Sequence, residues 1–293
     1  MIKRFLSYLI PCILSLTFLC GCINYTNTDT KESVTTKVIE EQQGKKSIIE
    51  YSDYRKPTKD VPLDSKVTSS IDIPTRITDK EYPIISYIGY EVVYDPQNKI
   101  PRWVKYELIS SETDGPYSRN GLDFCQDTAA NVPQADDSDY KKSGWSKGHM
   151  APAADFKWSR QAIIETFYYT NCCPQNQSLN AGQWSTLEKK VREWANQYGS
   201  VTVVTGPLVW NNEFGTIGNN KIVVPDAFFK TILVGKQTIA FVMHNHNNNE
   251  NLQKCALSVD DLEIISGIDF FSELDDDIEN QIESTYTLNF WHL

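Results

Sequence analysis

The segment from Trp145 to Glu188 constrains this chain more than any other part of its sequence. Within these 44 residues lie a histidine, a lysine two positions before it, carboxamides and a carboxylate, namely Lys147, His149, Asn171, Asn180 and Glu188. A histidine can activate water, a hard cation can take up charge on phosphorus, and a cationic side chain can hold a phosphate. This combination of residue types indicates metal-assisted hydrolysis of a phosphodiester.

His149 is the candidate general base, since an ordinary histidine titrates near neutrality and can take a proton from water. An isolated histidine is more often a hydrogen-bonded core residue, but its position between Gly148 and Pro152, ahead of the other polar residues, favours catalysis. Asn171 either positions the site from an extended segment or is an ordinary turn residue.

Asn180 is the candidate metal ligand, because a neutral carboxamide oxygen suits Mg²⁺ and, in the same way, Mn²⁺. Asparagine also caps helices well, so a capping role for Asn180 is open beside the metal role. Glu188 follows eight residues later and could hold metal-bound waters or orient a cation. The alternative for Glu188 is a solvated helix carboxylate beside Lys189 and Lys190.

A helix predicted from Asn180 to Gln197 determines how Asn180 and Glu188 could share a cation. Its apolar residues recur at three- and four-residue steps, and Gly199 follows as a terminating glycine. On a straight helix Glu188 would lie about 12 Å along the axis from Asn180 and be rotated by roughly 80°. We therefore expect Asn180 to contact the cation, Glu188 to act through water or a cationic side chain, and Trp184 to pack in the core.

The motif and its spacing resemble the DNA/RNA non-specific endonucleases, the ββα-metal or His-Me finger nucleases that include the endonuclease G type. The similarity rests on the run from Gly148 to Asp155 and on the downstream residues Asn171, Pro174, Gln175, Asn180, Trp184, Leu187 and Glu188. The resemblance implies the ββα-metal endonuclease fold. It also implies one asparagine as the sole protein ligand of the metal, and products with 5′-phosphate and 3′-hydroxyl ends.

The resemblance further implies an arginine ahead of the histidine motif, and Arg119 lies at such a position in a loop predicted over 110–144. The chain departs from the family immediately before Gly148. Where the family commonly has Asp-Arg, this chain has Ser146-Lys147. Because lysine offers one compact charge where arginine offers a bidentate guanidinium, we expect the phosphate contact to persist with looser geometry.

Runs of strand and helix residues are mixed without strict alternation, which predicts an α+β fold with a mainly antiparallel central sheet flanked by helices. A hairpin is predicted from the β-rich runs 88–94 and 102–109. Further strands are predicted at 201–205, 222–224, 227–234 and 238–244, the first of them stopped by Gly206-Pro207. Other helices are predicted at 159–167, 260–265 and 276–284, and a short extended segment at 168–173.

The chain divides into three predicted parts, which are a signal at 1–22, a tether at 23–80 and a nuclease domain at 81–293. Lys3 and Arg4 precede an apolar run that ends in Leu-Cys-Gly-Cys22, which predicts export as a bacterial lipoprotein anchored through Cys22 on the periplasmic or cell-surface side. An uncleaved membrane helix and ordinary cleavage nearby are the alternatives, although the run is short for a span. The polar, aperiodic tether is predicted to be flexible.

The net charge of −10 is unusual for a chain that binds nucleic acid, but its distribution is uneven. Residues 258–293 hold ten acidic side chains and no lysine or arginine, whereas residues 141–190 hold seven basic side chains against three acidic ones.

Export permits disulfides, and pairing of Cys172 or Cys173 with Cys125 or Cys255 is open.

The sequence therefore predicts an exported, Mg²⁺-dependent, sugar-non-specific endonuclease that hydrolyses DNA, RNA or both. One alternative is a phosphodiesterase for nucleotides or other phosphorylated substrates, which would use the same residues. The other is a non-catalytic surface lipoprotein that binds nucleic acid. The joint presence of His149, Asn180 and Glu188 argues against a non-catalytic role.

Overall fold

An eight-stranded antiparallel sheet forms the centre of the computed structural model, which describes residues 37–39, 82–247, 250–272 and 274–293. The strands of this part of the chain are β1 (Lys37–Ile39), β2 (Ile84–Ser86), β3 (Glu91–Asp95), β4 (Ile100–Ile109), β5 (Ser146–His149), β6 (Cys172–Gln175), β7 (Ser200–Leu208), β8 (Thr216–Ile217), β9 (Ile222–Val223), β10 (Ala227–Val234), β11 (Gln237–His244) and β12 (Ala256–Leu257). The central sheet has the order β1-β2-β3-β4-β7-β10-β11-β12, while β5 pairs with β6 and β8 with β9 in two separate ribbons. The predicted α+β class and mainly antiparallel sheet are confirmed.

Helices are packed around this sheet. They are α1 (Asp137–Tyr140), α2 (Arg160–Glu165), α3 (Gln177–Leu179), α4 (Ser185–Tyr198), α5 (Leu252–Cys255), α6 (Val259–Ser266), α7 (Asp276–Glu283) and α8 (Leu288–Trp291). A π-helical turn over Asn180–Trp184 joins α3 to α4. Within the residues that the structure describes, no helix has the length and apolar character needed to cross a bilayer.

Alternate residues of the central strands point into two separate apolar layers, as the two-residue period of a strand requires. In β10, Phe228 belongs to the first layer and Phe229 to the second. Helix α4 packs Leu187 and Trp194 into the first layer, and α6 packs Leu262 into the second. The two faces of the sheet therefore carry different helices. For this reason, the charged residues near α4 are separated from those near α6.

The predicted hairpin is present, since β3 and β4 pair in antiparallel register with Val92 opposite Val104. The Asp95 carboxylate accepts the backbone N–H groups of Gln97 and Asn98 at 2.9 and 3.0 Å, which stabilises the turn.

The prediction that the strand at 201–205 stops at Gly206-Pro207 is wrong, because β7 continues to Leu208 and pairs with β10 throughout. A Cβ added to Gly206 would lie 2.5 Å from the carbonyl oxygen of Arg102 on β4. Glycine at this position permits close approach of two strands and does not form a turn. The extended segment predicted at 168–173 is also wrong in its first part, where Tyr169–Asn171 form a 3-10 turn ahead of β6.

The predicted signal, including Cys22, and most of the predicted tether lie outside the described residues. Within the tether, however, Lys37–Ile39 form strand β1 and pair with Ile84–Ser86 at one edge of the sheet.

The cysteine pairing that the sequence left open is not formed by Cys172 or Cys173. Both are free and buried. Burial raises the pKa of the Cys172 thiol to about 12, so this thiol is protonated and unreactive at neutral pH.

Candidate active site

The ribbon of β5 and β6, followed by α3, the π-helical turn and α4, forms a ββα unit. In the ribbon Gly148 lies opposite Cys173, and His149 lies opposite Cys172. A Cβ added to Gly148 would lie 2.4 Å from Oε1 of Gln175, which is fully buried. The glycine of the Gly-His pair is therefore required by packing against β6, and this close packing fixes the backbone that carries His149.

His149 is half-buried between two aromatic rings. Its ring centre lies 4.5 Å from that of Phe124 and 4.9 Å from that of Phe167. Its Nε2 atom is buried and has no hydrogen-bond partner among the described residues. Burial, together with repulsion from the nearby Arg119, lowers the pKa of His149 to about 3. The ring is therefore neutral in the free protein over the whole physiological range.

The exposed side of His149 faces a cleft of about 490 Å³, a volume within the usual range of small-molecule sites. The cleft is lined by Ser118, Arg119, Lys147, His149, Pro152, Ala153, Ala154, Lys157, Ile163, Asn180, Ala181, Ser185 and Glu188. It thus brings together five of the six residues that the sequence singled out, with Asn171 as the exception.

Two of the three cations in the cleft are neutralised by carboxylates. Lys147 forms ion pairs with Asp137 and, at 3.3 Å, with Asp123, and Lys157 forms one with Asp114. Burial alone would lower the pKa of Lys147, but the hydrogen bond to Asp137 and the charge of Asp123 outweigh it and raise the pKa.

Arg119 differs from both lysines. It is exposed, its guanidinium lies 5.3 Å from the ring centre of Phe167, and it has no acidic partner among the described residues. Arg119 is consequently the cation of this cleft that forms no ion pair with the described residues, although it acts electrostatically on Glu188. The sequence indicated its role only through the family resemblance.

The helix that carries Asn180 and Glu188 is not straight, which overturns the prediction of one helix from Asn180 to Gln197. Helix α3 begins at Gln177, and the chain then forms a π-helical turn with non-helical dihedral angles at Gly182 (φ −103°, ψ −109°). Only α4 is regular, and it ends before Gly199 as predicted. The calculated separation and rotation between Asn180 and Glu188 therefore do not apply, and both side chains line the same cleft.

Asn180 does not cap the helix, contrary to the alternative considered from the sequence. Asn176 is the cap, since its side-chain oxygen accepts the N–H groups of Ser178 and Leu179 at 2.9 and 3.3 Å. The Asn180 side chain has no hydrogen-bond partner among the described residues and lines the cleft. Its carboxamide oxygen is thus available to a ligand.

Glu188 is not the solvated helix carboxylate that its lysine neighbours suggested. It lines the cleft from α4 and is shielded from water, and this desolvation raises its pKa to about 7 although Lys230 acts in the opposite direction. Lys230 is fully buried on β10, with its ammonium group 4.7 Å from the ring centre of Trp184 and without a hydrogen-bond partner in the described chain. Burial lowers the pKa of Lys230 to about 8, against the attraction of Glu188.

A second charged pair lies beside Glu188. Asp155 is 1% exposed and accepts hydrogen bonds from Arg192 at 2.7 Å and from the Tyr106 hydroxyl at 2.8 Å. Burial raises the pKa of Asp155, while the charge of Arg192 opposes this rise. Asp155, Arg192 and Lys230 act electrostatically on Glu188.

Sequence reasoning missed Asp155, Arg192 and Lys230 as site residues. The spacing of Glu188 and Arg192 on one helix, four residues apart, was a usable signal for neighbouring opposite charges. The sequence contains no such signal for Lys230, because this residue lies in an apolar strand and comes near Glu188 only when the chain is folded.

Asn171 lies outside the cleft and is fully buried. Its amide nitrogen donates hydrogen bonds to the carbonyl oxygens of Ala151 and Thr166, both at 2.9 Å, and its side-chain oxygen accepts the N–H of Ala151 at 2.8 Å. The backbone N–H of Met150 donates to the Asn171 carbonyl at 3.0 Å. Of the two interpretations from the sequence, the geometry matches positioning of the segment that follows His149, without direct contact with the cleft.

Comparison with known proteins shows the family to which the chain is similar. The chain matches the model of the DNA/RNA non-specific endonuclease family over residues 70–277. "Nuclease EXOG, mitochondrial" of Xenopus laevis is 37% identical over 212 residues, covering 65% of this chain and 59% of that protein. "Endonuclease G, mitochondrial" of Homo sapiens is 31% identical over 199 residues, covering 62% of this chain and 67% of that protein.

A solved structure shares the fold. The crystal structure of the EndoG/EndoGI complex superposes with a TM-score of 0.62 at 28% sequence identity, covering 68% of this chain and 88% of that chain. The chain spans about three fifths of the length of the EXOG relatives that it matches. The family match itself covers well over half of the chain and contains every residue of the cleft. The chain therefore belongs to the DNA/RNA non-specific endonuclease family.

Proposed function

We propose that this protein is a divalent-metal-dependent endonuclease that hydrolyses phosphodiester bonds of DNA, RNA or both without sequence preference. The observation that carries the proposal is the convergence of His149, Arg119, Asn180 and Glu188 on one cleft. These residues supply a neutral base, a cation and two oxygen donors, which is what hydrolysis of a charged diester requires.

The donor set of the cleft fits a hard divalent cation. Asn180 offers a carboxamide oxygen without a competing partner, and Glu188 offers a carboxylate on the same wall. Mg²⁺, or Mn²⁺ in its place, prefers such oxygen ligands and keeps several waters. We assign direct contact to Asn180, and we assign to Glu188 the orientation of metal-bound water. When bound, the cation would stabilise negative charge on phosphorus and on the departing oxygen.

His149 acts as the general base in this proposal. Phe124 and Phe167 restrict the orientation of its ring. Because Nε2 is buried, we assign the proton-accepting role to Nδ1. A low pKa keeps the ring neutral and able to accept a proton. The negative charge of a bound phosphate would offset the repulsion from Arg119 and raise the basicity of the ring when substrate is present.

Arg119 binds the phosphate in this proposal, and Lys147 contributes less than its position beside the motif suggested. Both carboxylate partners of Lys147 would have to be displaced or shared before its ammonium group could contact a substrate phosphate. Contacts of this kind to the phosphate carry no base information, which accounts for poor sequence discrimination. Family resemblance adds the expectation of 5′-phosphate and 3′-hydroxyl ends.

A nicking assay tests the proposal. Supercoiled plasmid and a structured RNA are incubated with pure protein and Mg²⁺, Mn²⁺ or EDTA, beside a small phosphodiester such as bis(p-nitrophenyl) phosphate. We expect cation-dependent cleavage of a polymer, abolished by EDTA. Cleavage of the small diester alone would favour a phosphodiesterase for small substrates, and binding of nucleic acid without cleavage would favour the non-catalytic alternative.

We also propose that the protein is exported and anchored through a lipid on Cys22, and the N-terminal sequence is the support for this. The relatives named above are mitochondrial by name, so they do not bear on this part of the proposal. Cys22→Ala should release the protein from the membrane fraction or stall its processing. Unchanged membrane association, with no lipid on the wild-type peptide by mass spectrometry, would refute the anchor.

A further inference from the structure

Three carboxylates from α6 and α7 converge at a place that the catalytic cleft does not include. One oxygen from each of Asp260, Glu263 and Glu283 lies within 4.8 Å of the other two. Asp260 and Glu263 are half-buried, so the cluster is accessible from one side. Helix α6 belongs to the apolar layer opposite to the one that packs α4.

Glu283 gives independent evidence that this cluster is more than a solvated acidic surface. It is 3% exposed, and its Oε1 atom is buried without a hydrogen-bond partner among the described residues. A carboxyl oxygen that is withdrawn from water and left unpartnered costs folding free energy unless something binds it. Its carboxyl group belongs to the converging set, so the unpartnered group is directed into the cluster.

Among the described residues, no cationic side chain acts on the ionisation of Glu283. The charges that act most strongly on it are those of Glu263, Glu279, Asp260 and Asp269, all of them acidic. The chain from 258 to 293 contains no lysine or arginine. Buried carboxylates in proteins are normally paired with a cationic side chain or coordinate a metal, and here the sequence offers no such side chain in this segment.

We propose that Asp260, Glu263 and Glu283 form a Ca²⁺ site that joins α6 to α7. Ca²⁺ takes about six to eight oxygen ligands in flexible geometry, whereas Mg²⁺ demands a near-ideal octahedron and retains most of its waters. Three carboxylates from two helices, each with one oxygen within 4.8 Å of the other two, suit the more tolerant ion. Water fills the remaining positions on the accessible side.

Isothermal titration with CaCl₂ on the full-length, metal-free protein tests the proposal. The decisive pair is Glu283→Gln, which removes one ligand with little change of shape, and Asp277→Asn, which makes the same carboxyl-to-carboxamide change at an exposed position on the same helix. We expect the Asp277→Asn protein to bind one more Ca²⁺ per chain than the Glu283→Gln protein. Ca²⁺ should also raise the melting temperature of the Asp277→Asn protein.

A second substitution keeps the test decisive if Glu283→Gln fails to fold. Asp260→Asn lies on the accessible side and should raise the Kd for Ca²⁺ by at least about tenfold, a change of about 1.4 kcal/mol. Equal stoichiometry and equal Kd in Glu283→Gln and Asp277→Asn would overturn the proposal. An unchanged Kd in Asp260→Asn would overturn it as well.

Discussion

Two groups of carboxylates in this molecule are withdrawn from water, and their surroundings are opposite. At the cleft, Glu188 is influenced by Arg119, Arg192 and Lys230, and the neighbouring Asp155 by Arg192 and Lys230. In the cluster between α6 and α7, Glu263 and Glu283 have acidic neighbours. The pKa of Glu188 reaches only about 7, whereas that of Glu283 reaches about 10. Desolvation acts in both places, and the presence or absence of cations decides the outcome.

This difference separates two uses of a buried carboxylate. In the cleft, internal cations keep Glu188 close to ionisation, so a modest additional positive charge suffices to deprotonate it. Between α6 and α7 no internal cation is present in the segment, so a bound metal ion is the available means of holding the carboxylates ionised. The first arrangement suits a reaction that proceeds in cycles, and the second suits a permanent link.

The largest effect is expected in the cleft. His149→Ala should lower plasmid nicking by at least about 10²-fold, because general-base catalysis typically contributes roughly 10²–10⁴-fold. The fold should survive, which circular dichroism can verify. Asp277→Asn, an exposed change on α7, is the matched control and should nick at the wild-type rate. Near-normal nicking by folded His149→Ala protein would refute the assigned mechanism.

The next effect concerns the two oxygen donors of the cleft. Asn180→Ala should raise the Mg²⁺ concentration for half-maximal nicking and lower the maximal rate. Glu188→Gln should lower activity by about 10–100-fold, as is typical of residues that orient a metal ligand, with a smaller change in the half-maximal Mg²⁺ concentration. Rates across a Mg²⁺ titration of both variants provide the measurement. A larger shift for Glu188→Gln than for Asn180→Ala would exchange the two roles.

A smaller effect should distinguish the free cation of the cleft from the paired one. Arg119→Ala should reduce kcat/KM by about tenfold or more, the order expected for loss of a hydrogen bond to a charged group. Lys147→Ala should cost only a few-fold, and Lys147→Arg should be tolerated, because the charge is retained. Equal losses in Arg119→Ala and Lys147→Ala would contradict the distinction.

The same pair of variants should differ in the titration of His149. Repulsion from Arg119 contributes to the low pKa of His149, so Arg119→Ala should raise it from about 3, whereas Lys147→Ala should not. NMR titration of the histidine ring reports this directly. In the wild-type protein the ring should remain neutral down to about pH 4, one unit above its pKa.

The smallest effect should appear in stability, between α6 and α7. Because the pKa of Glu283 is raised in the folded state, from an ordinary value of 4.5 to about 10, the folded protein binds a proton that the unfolded chain releases. Stability from this group is present below pH 4.5 and is lost as pH rises toward 10. In metal-free buffer Glu283→Gln should thus melt at least about 2 °C above wild type at pH 8, with a smaller difference at pH 5. Equal differences at both values would contradict the assignment.

The ββα unit could be predicted from the sequence because its determinants are local. Gly148 and His149 are adjacent, and the apolar repeat of α4 is visible in the chain. The partners of Glu188 could not be predicted, since Lys230 lies on a strand of the central sheet and approaches Glu188 only after folding. The break in the helix could not be predicted for a different reason. Gly182 indicates a break, but the apolar repeat of the surrounding residues favours one continuous helix.

The motif alone does not distinguish residues that line the cleft from residues that support it, and the contacts in the structure make this distinction. In the sequence Asn171 is one more polar residue of the motif. In the structure it is buried, and both the oxygen and the nitrogen of its side chain form hydrogen bonds. From the motif, Lys147 is predicted to contact phosphate. In the structure it forms ion pairs with Asp123 and Asp137, which lie outside the motif. Sequence spacing predicted residues that line the cleft. Their burial and their hydrogen-bond and ion-pair partners were needed to propose what each of them does.

The π-helical turn over Asn180–Trp184 also changes the helical phase of the site. Gly182 within this turn has non-helical dihedral angles, so the residues before it do not continue the helical phase of α4. The direction in which Asn180 points is therefore independent of the phase that Leu187, Val191 and Trp194 must keep to stay in the core. A break at a single residue can in this way redirect the candidate metal ligand, while the apolar stripe of α4 remains in register with the sheet.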